Sequence, residues 1–169
     1  MSLADNDKFD VSIGKRVLNK QLSPDAEIPV YSANVKEPFG YIDDLLITDF
    51  SVPSILWGID GDWMTSYIPE KTKFYPTDHC GVLRVKTPEV NPKYMEHILK
   101  QEGIKAGFSR AYRASLDRIQ GITFAVADIR IQDETVAKVQ GLEARINEAE
   151  GRLKSLRGDI HKIIHRYLG

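Results

Sequence analysis

The side chains best suited to chemistry in this chain are cations. Lys105, Arg110, Arg113 and Arg118 share one stretch with Tyr112 and the small residues Gly107, Ser109, Ala111 and Ser115. Residues 100–118 hold five basic and two acidic side chains, a local charge of +3. Arg and Lys neutralise phosphates, and the planar fork of Arg also matches the acceptor edge of guanine. A second basic pair, Lys15-Arg16, lies near the start, and Tyr31, Ser32 and Asn34 carry groups able to hydrogen-bond a base edge. The competing reading of 100–118 is a solvated surface loop. Asn34 reads equally well as a turn former.

Other chemistries are poorly supported. Asp60 and Asp62 form an Asp-x-Asp, but the glycine and oxygen-ligand pattern of a calcium loop is missing. His79 and Cys80 are adjacent, so on a strand they point to opposite faces and share a metal with difficulty. Cys80 reads as a small buried residue rather than a nucleophile. No Gly-x-Ser-x-Gly, phosphate-binding glycine loop or Asn-Pro-Pro-Tyr motif occurs. The expectation is a non-catalytic chain with no metal and no cofactor.

Bulk properties bound the answer. The chain has 169 residues, 42% hydrophobic and 28% charged, which suits one ordinary globular domain with an extension. Formal net charge is −1; residues 1–131 carry 16 basic against 18 acidic side chains, and 132–169 carry 7 against 6. Contact with nucleic acid would therefore rest on a local patch. No apolar run approaches membrane-spanning length, and the start lacks the basic-then-apolar order of a signal peptide. The single cysteine excludes an internal disulfide, and a cytoplasmic protein is expected.

The elements that must position these residues fall into three segments. Residues 9 to about 88 are short apolar runs broken by Pro, Gly, Asn and Asp, which predicts strands at Phe9–Ile13, Ile28–Ala33, Ser54–Ile59, Asp62–Ile68 and Gly81–Lys86. Asp60-Gly61 suits a two-residue hairpin turn, which would set Trp57 and Trp63 as cross-strand neighbours packing as scaffold. Asn91-Pro92 caps a helix through Tyr94, Met95, Ile98 and Leu99, with Gly103 as its expected stop. Ile122–Ile131 reads as a last strand.

From Gln132 the period becomes helical. Val139, Leu142, Ile146, Ala149, Leu153, Leu156, Ile160, Ile163 and Tyr167 recur at alternating spacings of three and four. That is a heptad seam, with Gly141, Gly151 and Gly158 at outer positions. A seam this narrow favours a partner helix over a helix folded back on its own domain. The division expected is 1–131 and 132–169, in a mixed α/β fold with a bent or twisted β-rich domain and a long C-terminal coiled-coil helix.

A family resemblance runs through the ordered segments Ile13-Gly14-Lys15-Arg16-Val17, Ile28-Pro29-Val30-Tyr31-Ser32-Ala33-Asn34, Pro38-Phe39-Gly40-Tyr41-Ile42, Ser54-Ile55-Leu56-Trp57-Gly58-Ile59-Asp60-Gly61 and Tyr75-Pro76-Thr77-Asp78-His79-Cys80-Gly81-Val82-Leu83. Arg118-Ile119 and the heptad helix follow in the same layout. Together they resemble the target-recognition domains of specificity subunits of type I restriction–modification enzymes. The resemblance implies a non-enzymatic subunit that reads one part of a split site in double-stranded DNA. Its partners would be a methyltransferase (modification) subunit and, in the cleaving assembly, a restriction subunit. Members carry two recognition domains and this chain has one, so it looks like a half-subunit or a fragment. The family's antiparallel helices imply an antiparallel homodimer, since charge pairing alone leaves the orientation close. The rival reading is a protein-interaction adaptor that uses the same helix without touching DNA.

Overall fold

Short β-favouring runs become strands where both faces can be covered. The computed structural model describes residues 1–168, of Leu168 the backbone only; Gly169, the last residue of the expected coiled-coil segment, lies outside the described residues. The fold is mixed α/β, and it divides into two units, residues 1–129 and Arg130 onward.

In the first unit, β1 (Phe9–Ile13), β7 (Cys80–Val85), β4 (Ser54–Gly58) and β5 (Thr65–Ile68) form an antiparallel sheet in that order. The two central strands are buried on both faces, as strands covered on both sides must be. Ile55, Trp57, Leu83 and Val85 join Phe9 and Val11 in a core closed by Met95, Leu99, Phe108 and Ile119. These come from α1 (Pro92–Ala106), α2 (Leu116–Gln120) and the loop between them. On the opposite face Leu56, Cys80 and Val82 pack with Val35, Ile68 and Phe74. A smaller sheet, β3 (Gly40–Ile42), β2 (Ile28–Tyr31) and β6 (Tyr75–Pro76), pairs β2 with β6 in parallel and surrounds Val30, Ile42 and Tyr75.

Asn91 caps α1 as its sequence suggests, its Oδ1 accepting from the N–H groups of Lys93 and Tyr94 at 2.8 and 3.1 Å, with Pro92 in the first turn. The expected stop at Gly103 is incorrect. The helix runs to Ala106 and ends at Gly107, which adopts φ +77°. Gly103 is instead a packing glycine, since a Cβ there would lie 2.1 Å from the Trp63 indole.

The two-residue hairpin is also incorrect. Trp57 lies opposite Thr65, so Ile59–Met64 forms a longer connection and Trp63 sits within it. Gly61 does take positive φ, at +101°, but inside that larger loop. On its other side Trp57 faces Gly81, whose absent side chain leaves room for the indole; a Cβ would fall 2.0 Å from it.

No strand spans Ile122–Ile131. Ser2 and Thr123 make an isolated bridge flanked by Leu3 N–H to Ile122 O at 3.1 Å, and the chain turns helical at Ile129. Ile122 and Phe124 are buried in the core, so the apolar alternation is real, but a short N-terminal segment is its partner. Strands β3 and β6 and helix α2 have no counterpart among the expected elements.

The second unit is α3 (Ile129–Leu168), 40 residues and about 60 Å long. Leu142, Ile146, Leu153, Leu156, Ile160 and Ile163 stand between 49% and 61% exposed along it. Ala149 is exposed and Val139 partly so.

Candidate nucleic-acid interface

Three strand ends and two loops meet at one edge of the four-stranded sheet. Beyond β1, Gly14 N–H donates to Cys80 O at 3.1 Å and Lys15 N–H to Pro76 O at 3.2 Å. This lays the exposed Lys15-Arg16 pair along the Pro76–Cys80 loop. The approach demands glycine at position 14, because a Cβ there would stand 1.9 Å from the Pro76 carbonyl oxygen. Thr77 N–H donates to Tyr31 O, and Thr77 Oγ1 donates to Ser32 Oγ at 3.1 Å, so Ser32 joins the same loop. Asn34 does not: its Oδ1 accepts from Lys36 N–H at 2.9 Å, an Asx turn two residues beyond.

The basic loop docks on the end of β4. Ile59 N–H donates to His79 O at 3.0 Å, Ala114 N–H donates to Ile59 O at 3.1 Å, and the Trp57 indole N–H donates to Ala114 O at 2.9 Å. Arg113 is thereby carried to the edge, where its Nε is ion-paired with Asp60. His79 pairs with the other oxygen of the same carboxylate through Nδ1, which carries the proton of that pair because a carboxylate only accepts. Partial burial alone would raise the Asp60 carboxyl; the hydrogen bonds and charges of His79 and Arg113 outweigh it and hold its pKa below the usual carboxylate range. Asp78 lies 3.9 Å from His79 Nε2.

Arg118 Nη1 donates to Arg113 O at 2.7 Å, and its guanidinium lies 3.9 Å from the centre of the Tyr112 ring. Tyr112 stacks on Phe108 at 5.8 Å, and Phe108 leans on Trp63 at 5.1 Å. Trp63 in turn donates to Lys100 O at 2.9 Å. A ladder of flat groups thus runs from the β4–β5 loop to Arg118.

Arg118 lies between two open cavities. One, about 320 Å³, is lined by Ile13, Ile59, Asp78 and Arg113; the other, about 400 Å³, by Lys105, Phe108, Tyr112 and Thr123. Lys105 in the second is ion-paired with Glu102 at 2.6 Å. Arg110 is exposed and forms no ion pair among the described residues. Of the expected residues, the structure therefore gathers Lys15, Arg16, Ser32, Arg113 and Arg118 around one loop, puts Tyr112 and Lys105 beside Arg118, and ties the Asn34 side-chain oxygen into a turn of its own.

Comparison with known proteins turns on shape rather than sequence. No family model matches the sequence, and no curated protein matches it. Among solved structures, the type I restriction–modification S subunit from M. genitalium superposes with a TM-score of 0.66 at 14% identity, over 92% of this chain and 41% of that one. The HsdS subunit from Thermoanaerobacter tengcongensis gives 0.65 at 9% identity, over 88% of this chain and 38% of that one. A chain from a structure addressing assembly and conformational transition of the type I R-M system gives 0.68 at 11%, over 96% and 42%. The fold is that of part of a type I S subunit. The chain spans about two fifths of the S-subunit lengths it matches (38–42%).

Within this S-subunit fold, three residues not expected at the site stand at its centre. The sequence offers Asp60 as a turn former and His79 as a neighbour of Cys80, and it does not single out Asp78. Their place at the ends of the two central strands was the available signal. Cys80 is sealed in the core, and burial pushes its thiol up to about 12, so no thiolate nucleophile forms there near neutral pH. Among the described residues no three metal-type ligands come together, and no helix is long and apolar enough to cross a membrane. What the edge offers is hydrogen-bond donors in fixed positions, with two carboxylates among them.

Proposed function

We propose that this chain is a DNA-specificity component of a type I restriction–modification assembly. The observation that carries the reading is the fold likeness to S subunits, which extends over 88–96% of this chain and so takes in both the sheet unit and the helix. In this reading the sheet unit, expected as 1–131, binds one half of a split duplex site through Lys15, Arg16, Ser32, Lys105, Arg110, Tyr112, Arg113 and Arg118. Asn34 completes the set through its side-chain N–H groups alone, because its Oδ1 is held in the Asx turn. Phosphate contacts from the cations set the register, and the Arg forks read base edges. The chain itself is not a catalyst; a methyltransferase subunit supplies methyl transfer at the site this chain selects.

The helix completes the assembly. A second copy pairs with it antiparallel along Val139, Leu142, Ile146, Ala149, Leu153, Leu156, Ile160 and Ile163, and supplies the other recognition unit. Two identical units related by a two-fold axis read a split palindrome.

Binding to duplex DNA across a salt series tests the reading. Counterion release makes affinity fall steeply with salt, a dependence that a protein-only adaptor lacks. Arg110→Ala, Arg113→Ala and Arg118→Ala should each weaken binding by about 1–3 kcal/mol where the contact is to a base, and lower the salt slope by about one unit where it is to phosphate. A triple variant that binds like the parent excludes the basic loop. Methylation mapping in cells that hold this chain and a modification subunit should return inverted copies of one short motif.

A further inference from the structure

Asp60 stands where a DNA-reading surface should avoid it, a carboxylate among cations beside an approaching phosphate backbone. Stability does not explain it. The side chains of Asp60, His79 and Arg113 are 30%, 49% and 57% exposed, and ion pairs this open contribute little to folding. What the carboxylate does is fix geometry. It takes Arg113 from the side, through Nε, and so sets the plane and direction of the guanidinium.

The backbone under Arg113 is fixed as well. Its carbonyl accepts from Arg118, and the next residue, Ala114, is bonded to both Ile59 and the Trp57 indole. An arginine held at both its root and its Nε has already lost the rotamer freedom that binding would otherwise remove. Held side-on, the guanidinium keeps an edge for the paired acceptors of a guanine. His79 shares the carboxylate, which anchors the pair to the loop beside Lys15.

We propose that Asp60 is the positioning residue of this surface: it presets Arg113 to read a guanine edge, so that it raises sequence discrimination while lowering affinity for DNA in general. The inference rests on the DNA-binding reading above. It separates two quantities that a plain charge or a plain scaffold would move together.

The test compares Asp60→Ala and Asp60→Asn with the parent full chain on two duplexes. One carries the site returned by methylation mapping, and the other has the same length and composition with that site scrambled. For Asp60→Ala, binding to the mapped site should weaken about tenfold, while binding to the scrambled duplex holds or tightens as a repelling charge is lost. Asp60→Asn keeps an acceptor for Nε and should fall between. In the Arg113→Ala background, Asp60→Ala should cost no further discrimination. If both duplexes tighten together, Asp60 is only a repelling charge; if both weaken together with a lower melting temperature, it is only scaffold. Either result overturns the proposal. A parent chain that binds neither duplex removes the DNA reading itself, before any Asp60 variant is compared.

Discussion

In the first 129 residues Trp57, Phe9, Leu56, Leu83 and Met95 are sealed from water at 0% exposure, whereas on α3 Leu142, Leu156 and Ile163 stay 55%, 61% and 58% exposed. Both regions use the same residue types at regular spacing. In the sheet unit each apolar face meets a layer from the same chain, helices on one side and the Val35–Phe74 cluster on the other. The helix presents its apolar stripe to solvent over some seven turns. A contiguous exposed apolar stripe of that kind is the feature that marks interaction surfaces. In the proposed reading, binding chemistry sits at the sheet's edge and assembly chemistry on the helix.

The largest effect expected is on association. Leu153→Asp together with Leu156→Asp should turn a dimer into monomers by light scattering, because each buried leucine contributes roughly 1.5–3 kcal/mol and a carboxylate in the seam opposes pairing. The unfolding midpoint of the sheet unit should not move. A dimer that survives both changes would place the interface elsewhere and undo the contrast between the two regions.

Trp57→Ala sharpens the other side of the comparison. Its side chain is fully buried, faces Gly81 and donates to Ala114 O, so its loss should cost about 3–5 kcal/mol in denaturant unfolding. The same variant should keep its helical seam and remain dimeric below its unfolding transition. Loss of pairing at denaturant levels where the sheet unit is still folded would contradict that independence.

Acid should give the smallest change. The folded Asp60 carboxyl titrates below its ordinary value, so its stabilising contribution is fully present above the unfolded pKa of about 3.9 and is lost as pH falls through the folded one. Between pH 7 and pH 3 the parent should therefore lose slightly more stability than Asp60→Asn, read from paired denaturation curves. Equal losses would mean that the Asp60–His79–Arg113 cluster is not formed in solution.

Much of the fold was legible in local pattern. The Phe9–Ile13 run became β1 with the bounds its residues suggested, Asn91-Pro92 opened α1, and the seam spacing carried α3. What failed depended on distant neighbours. Gly103 and Gly107 are equivalent in sequence, and only Trp63 packed over the first distinguishes a packing glycine from a helix stop. Asp60-Gly61 carries a hairpin signal, yet Trp57 pairs with Thr65 rather than Trp63, and the connection runs from Ile59 to Met64. β6 has two residues and α2 five, too few to show a period.

The site divided in the same way. Cations announce themselves in a sequence, so Arg113 and Arg118 could be singled out from charge and spacing alone. The carboxylate that holds Arg113 could not. Asp60, His79 and Arg113 lie on three separate segments, and only the convergence of β4, β7 and the α1–α2 loop unites them.

The pairing of β1 with β7 also governs when this protein can fold. Phe9 must find Val85, and Leu3 must find Ile122, so the sheet and its helical layer close only after most of the first unit has been synthesised. Such non-local closure is slow, on the order of milliseconds to seconds, whereas helix growth takes about a microsecond. At roughly 5–20 residues per second, the 40 residues of α3 take a ribosome about 2–8 s to add. The sheet unit therefore has time to seal its strands before the adhesive stripe of the helix is complete.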